Sequence, residues 1–411
     1  MADCCSQTGL MPIESARARL LDSLTAVDGT ETVPLDRAPG RILTRPIQSA
    51  VDLPPGDNSA MDGYAVQYAD LSHRKPLELI GRAFAGEPYA GRVNPGTCVR
   101  IMTGALVPAG ADTIVMQEQV EADAESIFVS GEVRQGDHIR RRGEDVGRGQ
   151  ELLAAGTRIS VAHVALLAAA GIGAVEVRRR PVIALLSTGD ELCQPGETLA
   201  EGHIYDSNRI ALRAALAEMG LEVLDLGIVP DDRPAIGAAL ERAAREADAV
   251  ITSGGVSVGQ ADYTRELLQE LGQIDFWKVA MKPGKPFAFG HLMGKPLFGL
   301  PGNPVSALVT FYQLVVPALT LMQGGRWKGP ATLAAKLLKP LKKKPGRTDF
   351  QRGSFHSDAC GSLLVEPVAT QGSHILSGLA AANCFIVLGR DSGNAEAGEI
   401  VSIEPFRAPL G

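Results

Sequence analysis

Cysteine is scarce in this chain: 411 residues hold six. Cys4 and Cys5 adjoin near the N-terminus, while Cys98, Cys193, Cys360 and Cys384 are scattered. No Cys-x-x-Cys occurs and no histidine pair has zinc-ligand spacing, so a thiolate or imidazole cage for a metal is not expected. An excess of positive charge is also missing. The 40 Lys and Arg face 47 Asp and Glu, a formal net charge of -7. That balance excludes nucleic acid and anionic membrane as the expected principal partners. The most apolar stretch, Val161 to Val177, contains His163 and is broken by Gly171 and Gly173. No membrane span is therefore expected. The N-terminus, MADCCSQTGLMP, carries Asp3 and no basic region followed by an apolar run, so it is not read as a secretion signal. A cytoplasmic location is expected.

What is present is ordinary globular material, 45% hydrophobic and 21% charged. At about 150 residues per domain, the length suggests roughly three domains. Ile13 to Leu24 has apolar residues at helical spacing after Pro12. From Pro34 to about Gly149, short β-prone runs such as Cys98–Met102 and Thr113–Met116 alternate with Pro/Gly turns, predicting a mostly-β module. Ser160 to Ala170 predicts a helix stopped by Gly171, with a strand following through Val177.

Beyond Pro181 the pattern becomes regular. Strands are predicted at Val182–Leu186, Glu222–Val229 and Ala249–Thr252, helices at Asn208–Met219, Pro234–Ala247 and Tyr263–Leu271. Such alternation implies right-handed βαβ units and a parallel sheet covered by helices. A last long helix is predicted from Asn303 towards Met322. After a basic link, short strands around Phe350–Gly353, Leu363–Val368, Phe385–Leu388 and Ile400–Ile403 suggest a small β-barrel or sandwich.

Ligands of open α/β sheets bind beyond the carboxyl ends of the strands. Three carboxylates follow such ends: Glu191 in STGDEL, Asp231 in VPDD, and Asp262 after the glycine-rich SGGVSVG loop (Ser253 to Gly259). Together they could hold Mg2+, which prefers oxygen ligands and shared phosphates. Each could instead simply cap a helix N-terminus. The glycines of the loop can expose consecutive N–H groups to an anion, although a glycine-rich turn can be no more than a turn. PGNP, Pro301 to Pro304, opens the long helix with Asn303 at the N-cap and Pro304 at the first helical position, leaving free N–H groups there. Just upstream, WKVAMKPGKP supplies Lys278, Lys282 and Lys285 beside that helix start, either as an oxyanion site or as a solvated basic turn. The run Lys342, Lys343, Lys344 is read as a solvated face. In the β-rich module, DNSAMDGYAV places Asp62 in a tight turn, and RRRGED sets Arg140, Arg141 and Arg142 beside two acids as an ordinary ion-pair cluster.

DNSAMDGYAV, RIMTGA, RRRGED, STGDEL, SGGVSVG, KPGKPFAFG, GLPGNPVSA, DFQRG and QGSH occur in that order from about Leu10 to the C-terminus. In this series the chain closely resembles the molybdopterin molybdenumtransferase family, relatives of the cofactor-synthesis domain of gephyrin and its plant counterparts. The resemblance implies a multidomain α/β plus β protein: an elongated discontinuous part from residues 10–47 and 149–179, a β-rich part inserted at 48–148, a doubly wound α/β domain at 180–328 similar to molybdopterin adenylyltransferase, and a C-terminal β-barrel at 332–411. It implies a homodimer that inserts molybdenum from molybdate into the dithiolene of adenylylated molybdopterin, releasing AMP with Mg2+ as cofactor. Other molybdenum-cofactor biosynthesis proteins are implied partners. A nucleotide-transferring adenylyltransferase and a non-catalytic dimeric scaffold are the alternatives. By motif, catalytic roles fall on Asp62, Thr103, Asp145, Glu191, Asp231 and Asp262, with Glu191 and Asp262 nearest the metal. Substrate contacts fall on Arg140, Ser253, Gly254, Gly255, Lys278, Lys282, Pro301, Pro304, Arg352 and Ser373. Soft sulfur ligands for molybdenum would come from the substrate, consistent with a chain that offers no cysteine cage.

Overall fold

The computed structural model describes residues 9–254 and 263–406. The chain forms two compact units, one of residues 32–177 and the other of the segments on either side.

In the first unit, a six-stranded sheet runs in the order Thr113–Met116, Gly63–Val66, Thr97–Ile101, Leu77–Ala83, Ser126–Val129, Val120–Ala122. Its two faces bury separate cores, one around Ala65, Val99 and Ile114, the other around Tyr64, Cys98 and Val115. Neighbouring residues divide between the two cores because strand side chains alternate faces. A smaller core under the helix Val161–Ala169 joins Leu43, Leu153, Ile159 and Leu167. Ser160 caps this helix by accepting from the His163 N–H, and His163 Nδ1 accepts from the Ser160 N–H in return. The helix ends before Gly171, whose φ of 78° suits a residue without Cβ.

The second unit is built on a six-stranded sheet in the order Glu222–Val229, Val182–Thr188, Ala249–Ser253, Lys295–Leu300, Pro286–Leu292, Gly272–Lys278. The first four strands are mutually parallel, as the βαβ pattern predicts. Pro286–Leu292 runs against its neighbours on both sides, so the sheet is mixed. Helices Arg233–Glu246 and Tyr263–Leu271 cover one face through Ile236, Leu240 and Leu268. The opposite face carries the helices Ile13–Asp22 and Ser207–Glu218 and the long helical run from Pro304 to Met322. This run, not Val161–Val177, is the one among the described residues long and apolar enough to cross a bilayer. Some 78% of its most apolar window is buried inside the protein, as befits a core helix.

The long run changes to a π-turn at Phe311–Val315, just before Pro317. Proline has no N–H to donate four residues back, so the carbonyl of Gln313 loses its helical partner. Arg17 Nε donates to that carbonyl at 3.2 Å, and Arg17 Nη2 donates to Gln313 Oε1 at 3.0 Å. Gln313 Nε2 in turn donates to Glu404 Oε2 at 2.6 Å, tying the helix to the C-terminal sheet. That sheet closes as a barrel, Thr348–Ser357, Leu363–Pro367, Leu333–Leu337, Ile400–Pro405 and Cys384–Leu388, with the last strand pairing back to the first.

Arg179 and Asp248 fix the start of the strand Val182–Thr188. Both guanidinium amino groups reach the carboxylate at 2.7 Å, and the Val182 N–H donates to it at 2.9 Å. Burial pushes the Asp248 carboxyl up, but Arg179 and the Val182 N–H outweigh it and hold it below the usual carboxylate range. A depressed folded-state pKa contributes stability above the unfolded value of about 4 and loses it as pH falls through the folded one. In acid titrations followed by circular dichroism, Asp248→Asn should therefore flatten the loss of stability below about pH 4. An unchanged acid limb would remove the pair from the account.

Candidate active site

The carboxyl edge of the parallel strands gathers several of the polar residues singled out in the sequence. Ser253 ends its strand, and its Oγ accepts from Asn208 Nδ2 at 2.9 Å. The same amide donates to the carbonyl of Gly302 at 2.8 Å, so Asn208 links the strand end to the PGNP turn. Gly254 follows with φ at 95°, and a Cβ there would lie 3.0 Å from the Thr188 carbonyl. Its N–H donates to the Leu300 carbonyl, so it is not free for an anion. Gly255 and Asp262 lie outside the described residues.

Glu191 and Asp231 are not helix caps. Asp232 caps the helix Arg233–Glu246 by accepting from the Ala235 N–H, and Asp206 caps Ser207–Glu218. Asp231 instead donates its N–H to Asp190 Oδ1 at 3.0 Å. Loss of solvation, together with the charges of Asp190 and Glu191, pushes the Asp231 carboxyl above its ordinary range. Among the described residues, no three such side chains converge as a ready-made metal cage.

Behind this edge, the barrel and the lysine-bearing loop enclose a cavity of about 850 Å³. Lys282, Lys285, Pro301, Asn303, Arg352 and Ser373 all line it. Lys278, at the exposed end of the edge strand, does not, and Pro304 begins the helix just behind Asn303. Gly284 allows the loop its path, because its φ is 102° and a Cβ would collide with Thr310 Oγ1. The helix start is less open than the sequence implied. Pro304 has no N–H, and the Val305 N–H donates to the Ser373 carbonyl at 3.1 Å.

Arg352 is the unusual member. It is only 1% exposed, yet among the described residues no carboxylate pairs with it. Its Nη2 donates to the carbonyls of Thr370 and Gly372 at 2.9 and 3.2 Å, while Nε is buried without a partner. Burial lowers its pKa, the signature of a charge short of compensation. Gln371 holds it in place: Gln371 Oε1 accepts from the Arg352 N–H, and Gln371 Nε2 donates to the Arg352 carbonyl. Sequence reasoning named neither Gln371 nor Asp349, the buried carboxylate 3.4 Å from Lys282 Nζ. Both stood inside quoted motifs, QGSH and DFQRG. The lysine run also departs from a solvated face. Lys343 is 5% exposed, with Nζ donating to the carbonyls of Ser392 and Arg390 at 2.8 and 3.2 Å.

In the first unit, Asp62 and Thr103 meet. The Thr103 N–H and Oγ1 both donate to Asp62 Oδ1 at 2.8 Å, and these bonds hold the Asp62 carboxyl below its usual range. The strand pair Asn58–Ser59 with Ile139–Arg140 joins the two candidate loops. Arg141 pairs with Asp57 and Arg142 with Asp52, so the ion pairs of RRRGED reach acids outside the motif and not its own two, of which Glu144 accepts only the Arg141 N–H. Among the described residues, the side chains of Arg140 and Asp145 make no such bond, although the Asp145 N–H donates to the Leu53 carbonyl.

A mixed α/β sheet with acids at its carboxyl edge, joined to a cavity lined by Lys282, Lys285 and the buried Arg352, defines the class as an α/β protein with a cationic cleft. Family models give this class a name. Residues 11–171 match the MoeA N-terminal region (domain I and II), 184–321 a probable molybdopterin binding domain, and 334–406 the MoeA C-terminal region (domain IV). The chain is 45% identical to the molybdopterin molybdenumtransferase of Haemophilus influenzae over 404 residues, covering 98% of this chain and 100% of the relative. A Nostoc molybdopterin molybdenumtransferase is 39% identical, with 82% and 80% covered. The crystal structure of a molybdopterin biosynthesis MoeA protein from Pyrococcus horikoshii superposes with a TM-score of 0.84 at 31% identity, covering 97% of this chain and 100% of that one. The chain belongs to the MoeA family of molybdopterin molybdenumtransferases and is an enzyme.

Proposed function

We propose that this enzyme inserts molybdenum from molybdate into the dithiolene of adenylylated molybdopterin, releasing AMP, as a cytoplasmic homodimer. The observation that carries the reading is Arg352, a buried cation with an unpartnered Nε at the wall of a cavity shared with Lys282 and Ser373. An uncompensated buried charge costs several kcal/mol unless a counter-ion arrives. A doubly charged oxyanion would supply it and accept charge-assisted hydrogen bonds from Arg352 and Lys282. The dithiolene belongs to the substrate, so this chain has only to grip phosphates and hold the oxyanion in line with the sulfurs. Ser253 and Gly255 are assigned to the pterin and phosphate side, where Gly254 shapes the turn and does not offer its N–H.

The described acids at the sheet edge form no complete cage, and the oxygen-donor chemistry that Mg2+ prefers would be completed by substrate phosphate. Glu191, Asp190 and Asp231 are oxygen donors whose mutual repulsion a cation would relieve, and Mg2+ is commonly held by one or two carboxylates plus substrate phosphate. Glu191 and Asp262 are proposed as its ligands. When bound, the ion would neutralise charge on the pyrophosphate. Glu191→Gln should raise the Mg2+ concentration needed for half-maximal AMP release by about tenfold, one charge-assisted contact of about 1.5 kcal/mol. An unaltered Mg2+ requirement would take Glu191 off the metal. The function itself is tested by incubating purified enzyme with adenylylated molybdopterin and Mg2+, with and without molybdate. AMP release with formation of active cofactor supports it. Transfer of adenylate onto molybdopterin, or no turnover, would favour the adenylyltransferase or scaffold alternatives.

A further inference from the structure

Arg209 is 3% exposed, and its guanidinium ties together three segments that lead to the carboxyl edge of the sheet. Nε donates to Asp206 Oδ2 at 2.9 Å. Nη1 donates to both oxygens of Asp225, at 2.7 and 2.6 Å. Nη2 donates to Gln194 Oε1 at 2.7 Å. All three nitrogens are engaged, in contrast to Arg352.

Each tie leads to a residue of the candidate site. Gln194 follows the segment that carries Asp190 and Glu191. There Leu192–Cys193 pairs with Ile204–Tyr205, and the Ile204 N–H donates to the Glu191 carbonyl at 2.8 Å. Asp225 lies on the strand Glu222–Val229, which runs on towards Asp231. It stands at a bulge, where Gly227 takes a φ of 78° and donates its N–H to Asp225 Oδ1 at 3.0 Å. A bulge re-aims the end of its strand. Asp206 accepts from the Ser187 hydroxyl at 3.2 Å and caps the helix that carries Asn208.

Stability alone does not account for this arrangement. A buried ion pair loses so much solvation that apolar side chains of similar volume often serve stability as well or better. What a guanidinium supplies is direction, because its donors are fixed in one plane and the segments they bond cannot shift independently. Direction matters here, since the charges of Asp190 and Glu191 both act against that of Asp231. Segments that bear like charges move apart unless they are braced at the root.

We propose that Arg209 is a positioning residue for the reaction, bracing the segment of Glu191 through Gln194 against the strand end of Asp231 through Asp225. It acts through the acids it places and not on the substrate. Its purpose rests on Glu191 as a Mg2+ ligand.

Arg209→Lys would leave Asp206 and Asp225 short of donors and so confound stability with position. The test therefore cuts the Gln194 arm alone: Gln194→Ala removes the acceptor, and Gln194→Glu keeps one. Amide hydrogen exchange of residues 189–205 is followed in the metal-free enzyme, and AMP release from adenylylated molybdopterin is followed against Mg2+ concentration. Gln194→Ala should exchange about tenfold faster in that segment and need about tenfold more Mg2+ for half-maximal rate. Its kcat at saturating Mg2+ should fall much less, and its melting temperature should barely move. Gln194→Glu should stay near wild type in both measurements. The brace is overturned if exchange and Mg2+ requirement in Gln194→Ala both match wild type. Faster exchange with an unmoved Mg2+ requirement overturns it too, and leaves Arg209 a purely structural residue. A wild-type enzyme indifferent to Mg2+ would overturn the metal reading of Glu191 and the purpose of the brace with it, a failure visible before any variant is compared.

Discussion

Asp62→Asn is expected to reduce cofactor formation by about a hundred- to ten-thousandfold, the range of a lost acid–base group, with little change in folding. Thr103 gives two hydrogen bonds to Asp62 Oδ1, one from its N–H and one from its hydroxyl. An asparagine carbonyl can accept both, so the turn survives the substitution. The change falls on the other oxygen, which becomes an amide that can neither carry negative charge nor take up a proton. An ordinary aspartate is already an anion at neutral pH, and the two Thr103 bonds push the Asp62 carboxyl further below its usual range. Turnover of purified substrate by Asp62→Asn, beside a circular dichroism spectrum matching wild type, makes the measurement. Turnover within a few fold of wild type would reduce Asp62 to a turn-forming residue.

Where side-chain periodicity reflects burial, the fold was legible in the sequence. Glu222–Val229 occurs at its predicted bounds between Gly220 and Pro230, and Tyr263–Leu271 at its own, ending where Gly272 opens a strand. The strands Gly272–Lys278, Pro286–Leu292 and Lys295–Leu300 were missed, since Pro286, Gly290 and the lysines look like loop chemistry. Gly290 is in fact a strand requirement: a Cβ there would collide with the Gln273 carbonyl across the antiparallel pair. Motif resemblance found Arg352 and Ser373 without showing why they matter. The reason is tertiary, because Gln371 and the carbonyls that hold the guanidinium lie 18 to 20 residues away. Lys343 was misread for the same cause. A run of three lysines carries no sign that carbonyls from residues 390 and 392 will surround the middle one.

Lys282→Ala is expected to raise the molybdate concentration for half-maximal cofactor formation by roughly ten- to hundredfold, the loss of a charge-assisted bond of about 1.5–3 kcal/mol. An affinity defect yields to mass action, so excess molybdate should restore the plateau. Asp62→Asn, a chemical defect, should stay inactive at any molybdate concentration. The geometry adds a control that the sequence could not suggest. Asp349 is 3% exposed on its side chain and sits 3.4 Å from Lys282 Nζ, so removing the lysine strips a buried carboxylate of its ion-pair partner. That carboxylate would then repel an incoming oxyanion and exaggerate the effect. Lys282→Ala/Asp349→Asn removes both charges and should bind molybdate better than Lys282→Ala alone, while remaining weaker than wild type. Cofactor formation is followed against molybdate concentration for the three variants beside wild type. A lowered plateau with an unchanged half-saturation point in both lysine variants would place Lys282 in the chemistry or on the pterin phosphate, and the oxyanion assignment would fall.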